Sequence, residues 1–398
     1  MDPIIFIPLA LVAALALWVA SRLREFGARR KGSDLYRYDD SPNFRDGRFR
    51  NLHAYTRKPP QSPGNRRARG KKLQDLLFTG GTRRPPAPLP VRRDGLAAAE
   101  NESGHGPTEL VWLGHSTVLI RIDGLTVIAD PVFSRAIFPL RPMAPKAFDY
   151  TTPLTVDDLP AIDIVLLSHD HYDHLDYPSI RKLAARAGRF VTTLGVGEHL
   201  KKWGVPADRI DERDWWQSIS IGPLTFIATP AQHFSGRGLK DSGQTLWASW
   251  VIEGSEDKLF FSGDTGYFEG FKEIGERLGP FDIALLECGA YNVQWPNVHM
   301  MPEETVQAHL DLGGKALQPI HWGKFDLSVH AWDEPVERLT RAALENGVTL
   351  ATPMVGQAYT LAGPLPQEPW WRSIGAAETA TNDEPMSAPH PAVRTQRT

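Results

Sequence analysis

From Glu109 onward, short apolar runs alternate with turn-forming residues. ELVWLG (109–114), TVLIRI (117–122) and LTVIAD (125–130) are rich in β-branched and aliphatic residues. Asp123-Gly124 between the last two runs is a hairpin signal. IDIVLLS (162–168) is almost wholly apolar, the pattern of a strand covered on both faces. Helical spacing follows at 178–187 and 198–203. Further strands are predicted at 224–228, 246–252, 258–262, 281–286 and 316–320. A helix over 303–312 starts behind Met301-Pro302, and another covers 334–346. Strands alternating with helices predict an α/β architecture, and no internal repeat is visible.

The first part of the chain reads differently. Residues 3–21 contain no charge, and 19 residues of helix suffice for a hydrocarbon layer of ~30 Å. The run is apolar all round, unlike a helix lying in the interface. Only Asp2 precedes it, whereas Arg22, Arg24, Arg29, Arg30 and Lys31 stand just after it. The positive-inside rule then keeps the C-terminal side of the run in the cytoplasm. A cleaved signal and a buried core helix are the competing readings. Residues 32–107 are rich in Arg, Pro and Gly, with one short helix expected at LQDLLF (73–78). The expected organisation is an anchor over 1–22, a basic Pro-rich linker and wrapping extension over 23–107, a folded domain over 108–363 and a partly disordered tail over 364–398.

Charge sharpens that division. The net charge is −3, yet residues 21–95 hold 20 Lys and Arg against 7 Asp and Glu, leaving −16 on the rest. Such a segment is either drawn to anionic lipid head groups or simply solvated. The acidic remainder and the lack of a recognition motif argue against nucleic acid. Cys288 is the single cysteine, so no intrachain disulfide and no thiolate metal cluster can form.

The candidate chemistry lies in SHDHYDHLD (168–176), directly after the buried strand. His169, His171, Asp173, His174 and Asp176 are all residues that bind or orient metals, and Asp170 is a further acidic candidate. Strand C-terminal ends line the ligand crevice of α/β proteins. Imidazole and carboxylate are the ligands zinc takes without thiolate, and three per ion leave room for water. The competing reading is a solvated polar turn. A second ion needs more ligands, and His233, Asp264 and His321 each stand just past a later apolar run. No G-x-S-x-G occurs, which weakens a serine-based mechanism.

This pattern, H-x-H-x-D-H followed by His, Asp and His, resembles the metallo-β-lactamase superfamily. WLGHST (112–117), DPVFS (130–134), TPAQH (229–233), LWASW (246–250), SGDTGY (262–267), GAY (289–291), HMMPEE (299–304) and IHWGKF (320–325) resemble its N-acylphosphatidylethanolamine-hydrolysing phospholipase D branch. The resemblance spans roughly residues 40–360. It implies a four-layer αβ/βα sandwich with metals at one edge, here joined to an N-terminal transmembrane helix. It implies two zinc ions, iron or manganese staying open. His169, His171 and His233 would hold one, Asp173, His174 and His321 the other, and Asp264 would bridge them. Asp173 and Asp264 would thereby be the catalytic carboxylates. Tyr172 and His299 match positions near the substrate head group, with a packed tyrosine and a surface histidine as the bland alternatives. His115 and Asp130 match residues that orient ligands. The implied reaction is hydrolysis of a membrane phospholipid to an N-acylethanolamine and phosphatidate, with the bilayer as partner and homodimer formation left open. A lactonase or soluble phosphodiesterase, a redox di-iron enzyme and a non-catalytic membrane-bound metal-binding protein are the rivals.

Overall fold

The computed structural model describes residues 22–28, 36–53, 55, 82–96, 106–139 and 144–375. The apolar run 3–21, the short helix at 73–78 and the tail from 376 lie outside these residues. Among the described residues, no helix is long and apolar enough to cross a membrane.

A two-residue hairpin, β1 (Phe44–Arg45) and β2 (Arg48–Phe49), precedes the main body. The first sheet contains β3 (Glu109–Trp112), β4 (Val118–Ile122), β5 (Leu125–Ala129), β6 (Ile164–Leu166), β7 (Arg189–Thr193), β8 (Ile210–Arg213) and β16 (Ala358–Thr360), in the order β16-β3-β4-β5-β6-β7-β8. The second contains β9 (Ser218–Ile221), β10 (Leu224–Thr229), β11 (Ser249–Glu253), β12 (Lys258–Phe261), β13 (Phe281–Glu287), β14 (Gly314–Ile320) and β15 (Thr349–Leu350), in the order β15-β14-β13-β12-β11-β10-β9. Each sheet is antiparallel on one side and parallel on the other. The parallel parts need crossovers, and α-helices supply all of them except the β5–β6 connection, which carries only a 3-10 turn at Val156–Asp158. α1 (Tyr177–Leu183) and α2 (Gly197–Lys202) follow β6 and β7. α3 (Gly270–Leu278), α4 (Pro302–Leu312) and α5 (Glu334–Glu345) precede β13, β14 and β15. The result is the expected αβ/βα sandwich, with one hydrophobic cluster running through both sheets.

Local chemistry accounts for the elements. Asp123 and Gly124 both take positive φ, 49° and 76°, as a tight type I′ turn requires. Pro302 opens α4 at a position whose N–H has no helical partner anyway. Trp250, Phe226 and Phe261 are fully buried between the sheets, and Phe260 on the opposite face against Phe271 of α3, each contributing about 1.5–3 kcal/mol relative to exposure. The strand predicted from residue 246 starts only at Ser249. Leu246 and Ala248 give their N–H groups to Leu194 and Ser168 of the other sheet's loops, at 2.8 and 3.0 Å, instead of to a ladder.

Described segments before and after the sandwich wrap the body. Leu89 bridges to Tyr150, Val91 to Val355, and Tyr38, Phe44 and Phe49 join the core. Residues 364–375, expected as tail, pack down. Trp112, Trp322 and Trp370 form a column with ring centroids 5.1 and 5.6 Å apart, and the Trp371 indole donates to Glu337 at 2.7 Å.

Candidate metal centre

The sandwich puts the ends of both sheets together at one edge. His169, His171, Asp173 and His174 sit on the turn after β6. His233 follows β10, Asp264 follows β12 and His321 follows β14. These seven residues, separated by up to 152 positions, converge. The ligand atoms of His169, His171, His233 and Asp264 lie within 4.8 Å of one another, as do those of Asp173, His174, His321 and His115.

Hydrogen bonds fix how the imidazoles face. His233 donates from Nδ1 to the Val298 carbonyl at 2.9 Å, and His174 from Nδ1 to Asp130 at 2.6 Å. The Ser168 hydroxyl donates to Asp130 at 2.6 Å, so its oxygen is free to accept from His169 Nδ1 at 2.9 Å. In all three cases the second ring nitrogen, Nε2, keeps its lone pair for the centre. Asp130 Oδ1 also accepts the Ser168 N–H at 2.8 Å. Asp130 lies within 4.8 Å of His169 and His174, yet three donors already occupy its oxygens. It is therefore placed to orient His174, and His169 through Ser168, rather than to bind an ion itself. His115 contacts the Asp173 carboxylate at 3.1 Å.

The electrostatics follow from burial. Desolvation holds the His169 and His233 imidazoles well below the ordinary range, with neighbouring imidazoles adding to it, and it brings His115 down to about 3. Burial opposes the charged form of His174, but the Asp264, Asp130 and Asp173 carboxylates outweigh it and raise the group. Burial would lift Asp264, and His174 and His321 more than reverse that.

The donor set fits a metal. His169 Nε2, His174 Nε2, His321 Nε2 and Asp264 Oδ1 are buried without a hydrogen-bond partner. Asp264 Oδ1 is 3.0 Å from His174 Nε2 and 2.9 Å from His321 Nδ1, without hydrogen-bond alignment. Buried polar atoms left unpaired cost about 1–3 kcal/mol each, and cations held among them would remove that cost. The backbone is also distorted here: Asp130, His115 and His321 have φ of 39°, 55° and 64°. Such positions persist only where their surroundings hold them.

Of the two residues expected near substrate, His299 stands at the rim. Its ring stacks on His321 at 5.2 Å, and its Nδ1 meets Glu287 at 3.1 Å. Burial disfavours its charge, but Glu287 lifts the group to about 9. Tyr172 is half-buried, with its hydroxyl donated to the Arg237 carbonyl at 2.6 Å. Sequence reasoning missed Glu287, although a charged residue closing the apolar strand FDIALLE was a legible signal. It also missed Asn51, whose amide donates to the His233 carbonyl at 2.9 Å and accepts the His233 N–H at 3.1 Å.

A cradle of imidazoles and carboxylates at the edge of a four-layer sandwich defines a metal-dependent hydrolase. Comparison with known proteins agrees. Residues 126–322 match the β-lactamase superfamily domain. An uncharacterised protein of Mycobacterium tuberculosis is 43% identical over 338 residues, 84% of this chain and 88% of that one. N-acyl-phosphatidylethanolamine-hydrolyzing phospholipase D 1 of Caenorhabditis elegans is 34% identical over 63% of this chain and 73% of that one. Among solved structures, isothiocyanate hydrolase from Delia radicum gut bacteria superposes with a TM-score of 0.50 at 20% identity, over 63% of this chain and 98% of that chain. The chain belongs to the metallo-β-lactamase branch of the β-lactamase superfamily.

Proposed function

We propose that this hydrolase carries two zinc ions and cleaves the phosphodiester of N-acylphosphatidylethanolamine, releasing an N-acylethanolamine and phosphatidate. The observation that carries the reading is the convergence of seven side chains with four buried atoms left unpaired. Similarity to the C. elegans phospholipase supports the substrate class. His169, His171 and His233 would hold one ion, Asp173, His174 and His321 the other, with Asp264 between them. A metal pair lowers the pKa of water and neutralises charge on phosphoryl oxygens. Asp130 and Ser168 keep the proton on Nδ1 of His174 and His169, so that each Nε2 faces inward. His115 steadies the Asp173 carboxylate. His299, anchored by Glu287, is the side chain proposed to hand a proton to the leaving oxygen, and Tyr172 borders the head group. Residues 3–21 would span the membrane and the basic segment would meet anionic lipid, holding the catalytic domain on the cytoplasmic side near a substrate that stays in the bilayer.

The test uses the full chain in vesicles containing N-acylphosphatidylethanolamine, with products followed by mass spectrometry. Zinc-loaded protein should release N-acylethanolamine and phosphatidate, and Asp264→Asn should lower turnover at least a thousandfold with loss of bound metal. Hydrolysis of soluble lactones or model diesters with none of the lipid would overturn the substrate assignment.

A further inference from the structure

The backbone of the segment immediately after the apolar run is held by side chains of α2 and of Trp203 at its end. The Trp203 indole donates to the Arg24 carbonyl at 2.8 Å, and Lys202 donates to the Gly27 carbonyl at 2.6 Å. The Ala28 N–H donates to His199 Nδ1 at 2.8 Å. With that nitrogen accepting, the His199 proton sits on Nε2, which faces Asp170 at 3.5 Å. Gly27 has φ of 76°, and a Cβ there would collide with the His199 imidazole. No other residue fits this seat without displacing the strap.

Arg237 closes the arrangement. It is 3% exposed. Its Nη2 and Nε donate to the Glu25 carbonyl at 2.7 and 3.3 Å, while Nη1 donates to the carbonyls of Asp170 and Leu175 at 2.6 and 2.9 Å. The guanidinium lies between the rings of Tyr172, 4.0 Å away, and Trp203, 5.0 Å away. Asp170 and Leu175 bracket His171, Asp173 and His174. One buried cation therefore grips the chain on either side of three proposed ligands, with the strap as its remaining partner. Phe26 packs edge-on against Tyr172 at 6.3 Å from the other side.

From this we infer that Arg237 is a positioning residue coupling the strap Arg24–Ala28 to the metal-ligand turn. A strap that leaves takes from a buried guanidinium two of its four hydrogen bonds. Such a group does not stay dry with unmade donors. It shifts toward water and releases the carbonyls of Asp170 and Leu175. Metal binding and strap docking then favour each other, and linkage makes the coupling equal in both directions. Because the strap directly follows residues 3–21, whatever holds that run bears on the ligand turn. This inference rests on the proposed ligand set, not on the substrate.

The test is reciprocal. In the full chain in phosphatidylcholine vesicles, zinc should slow tryptic cleavage after Arg24 at least fivefold relative to chelator-treated protein. Gly27→Val and Arg237→Met should each weaken zinc binding about tenfold in a chelator competition, and the double variant should weaken it little further, since both break one connection. Cleavage indifferent to zinc in a protein that binds it, or losses that multiply in the double variant, would overturn the coupling and leave the ligand assignment standing. A wild-type chain that binds no zinc would instead overturn the ligand assignment, and the coupling with it.

Discussion

Asp130→Asn is the most revealing single exchange. The Asp130 carboxylate accepts three hydrogen bonds: from the Ser168 N–H at 2.8 Å, the Ser168 hydroxyl at 2.6 Å and His174 Nδ1 at 2.6 Å. It is completely buried, so water cannot substitute. An asparagine offers one accepting oxygen and an NH2 that donates. Placed on the Oδ2 side, that NH2 meets two donors; turned over, it meets the Ser168 N–H. The relief available is to move protons. His174 would carry its hydrogen on Nε2, the nitrogen aimed at the centre. The Ser168 hydroxyl would turn away, and the His169 tautomer would lose its guide. Loss of an orienting partner typically costs ten- to a hundredfold in metal affinity. With two histidines affected, one on each of the two proposed ions, both zinc equivalents should weaken by about tenfold or more, roughly 1.4 kcal/mol each. Chelator competition monitored with a fluorescent zinc indicator would measure this, with circular dichroism checking the fold. Ser168→Ala should weaken only the ion on His169. Zinc binding by a folded Asp130→Asn protein within twofold of wild type would refute the tautomer reasoning. Weakening of one equivalent alone would refute the relay through Ser168.

Three further outcomes are expected. Trp370→Ala empties a buried place beside Trp322 and Trp112, so urea unfolding should show a loss of about 3–5 kcal/mol; a change under 1 kcal/mol would mean the 364–375 segment is not part of the cooperative unit. His309 on α4 is buried, and desolvation brings it down to about 4. Its folded value lies below its unfolded one, so the stability it contributes is present above pH ~6.5 and declines as pH falls toward 4. Between pH 7.5 and 5.5 the wild type should lose about 1.4 kcal/mol that His309→Asn does not lose, and parallel pH profiles would contradict this. Removing metal with a chelator should lower the thermal midpoint, and adding zinc should restore it, because the unpaired atoms of His169, His174, His321 and Asp264 are otherwise left in a dry site; an unchanged midpoint would mean that the cradle holds no ion.

The parts of the fold legible in the sequence were those with strong periodicity or strong punctuation. The apolar run ending at Ser168, the Asp123-Gly124 turn and the helix behind Pro302 all emerged within a few residues of their positions. Weakly apolar edges did not. β8 (IDER) and β9 (SISI) are short and at least half polar, and their pairing comes from neighbours rather than from their own pattern. α3 was missed despite an amphipathic sequence, because two of its nine residues are glycine. The side chains that converge were legible because metal chemistry restricts candidate ligands to few residue types just past strands. Their supports were not. Arg237 and Asn51 act through backbone carbonyls and amides far away in the chain, and nothing local marks such partners. The adjacent Trp370 and Trp371 were a missed signal, since a solvated tail rarely holds two indoles side by side.

The proposed ligand set draws on both sheets: four side chains from the turn after β6, and one each from the ends of β10, β12 and β14. Bound cations would thus act as rivets across the seam, and the centre would read the registration of the two halves. A distant core exchange that slides one sheet along the other by a fraction of an ångström would surface as a change in metal retention. The Trp250 indole, which reaches across to the Leu167 carbonyl at 3.2 Å, is one such remote lever, two positions from the proposed ligand His169 along the chain it grips.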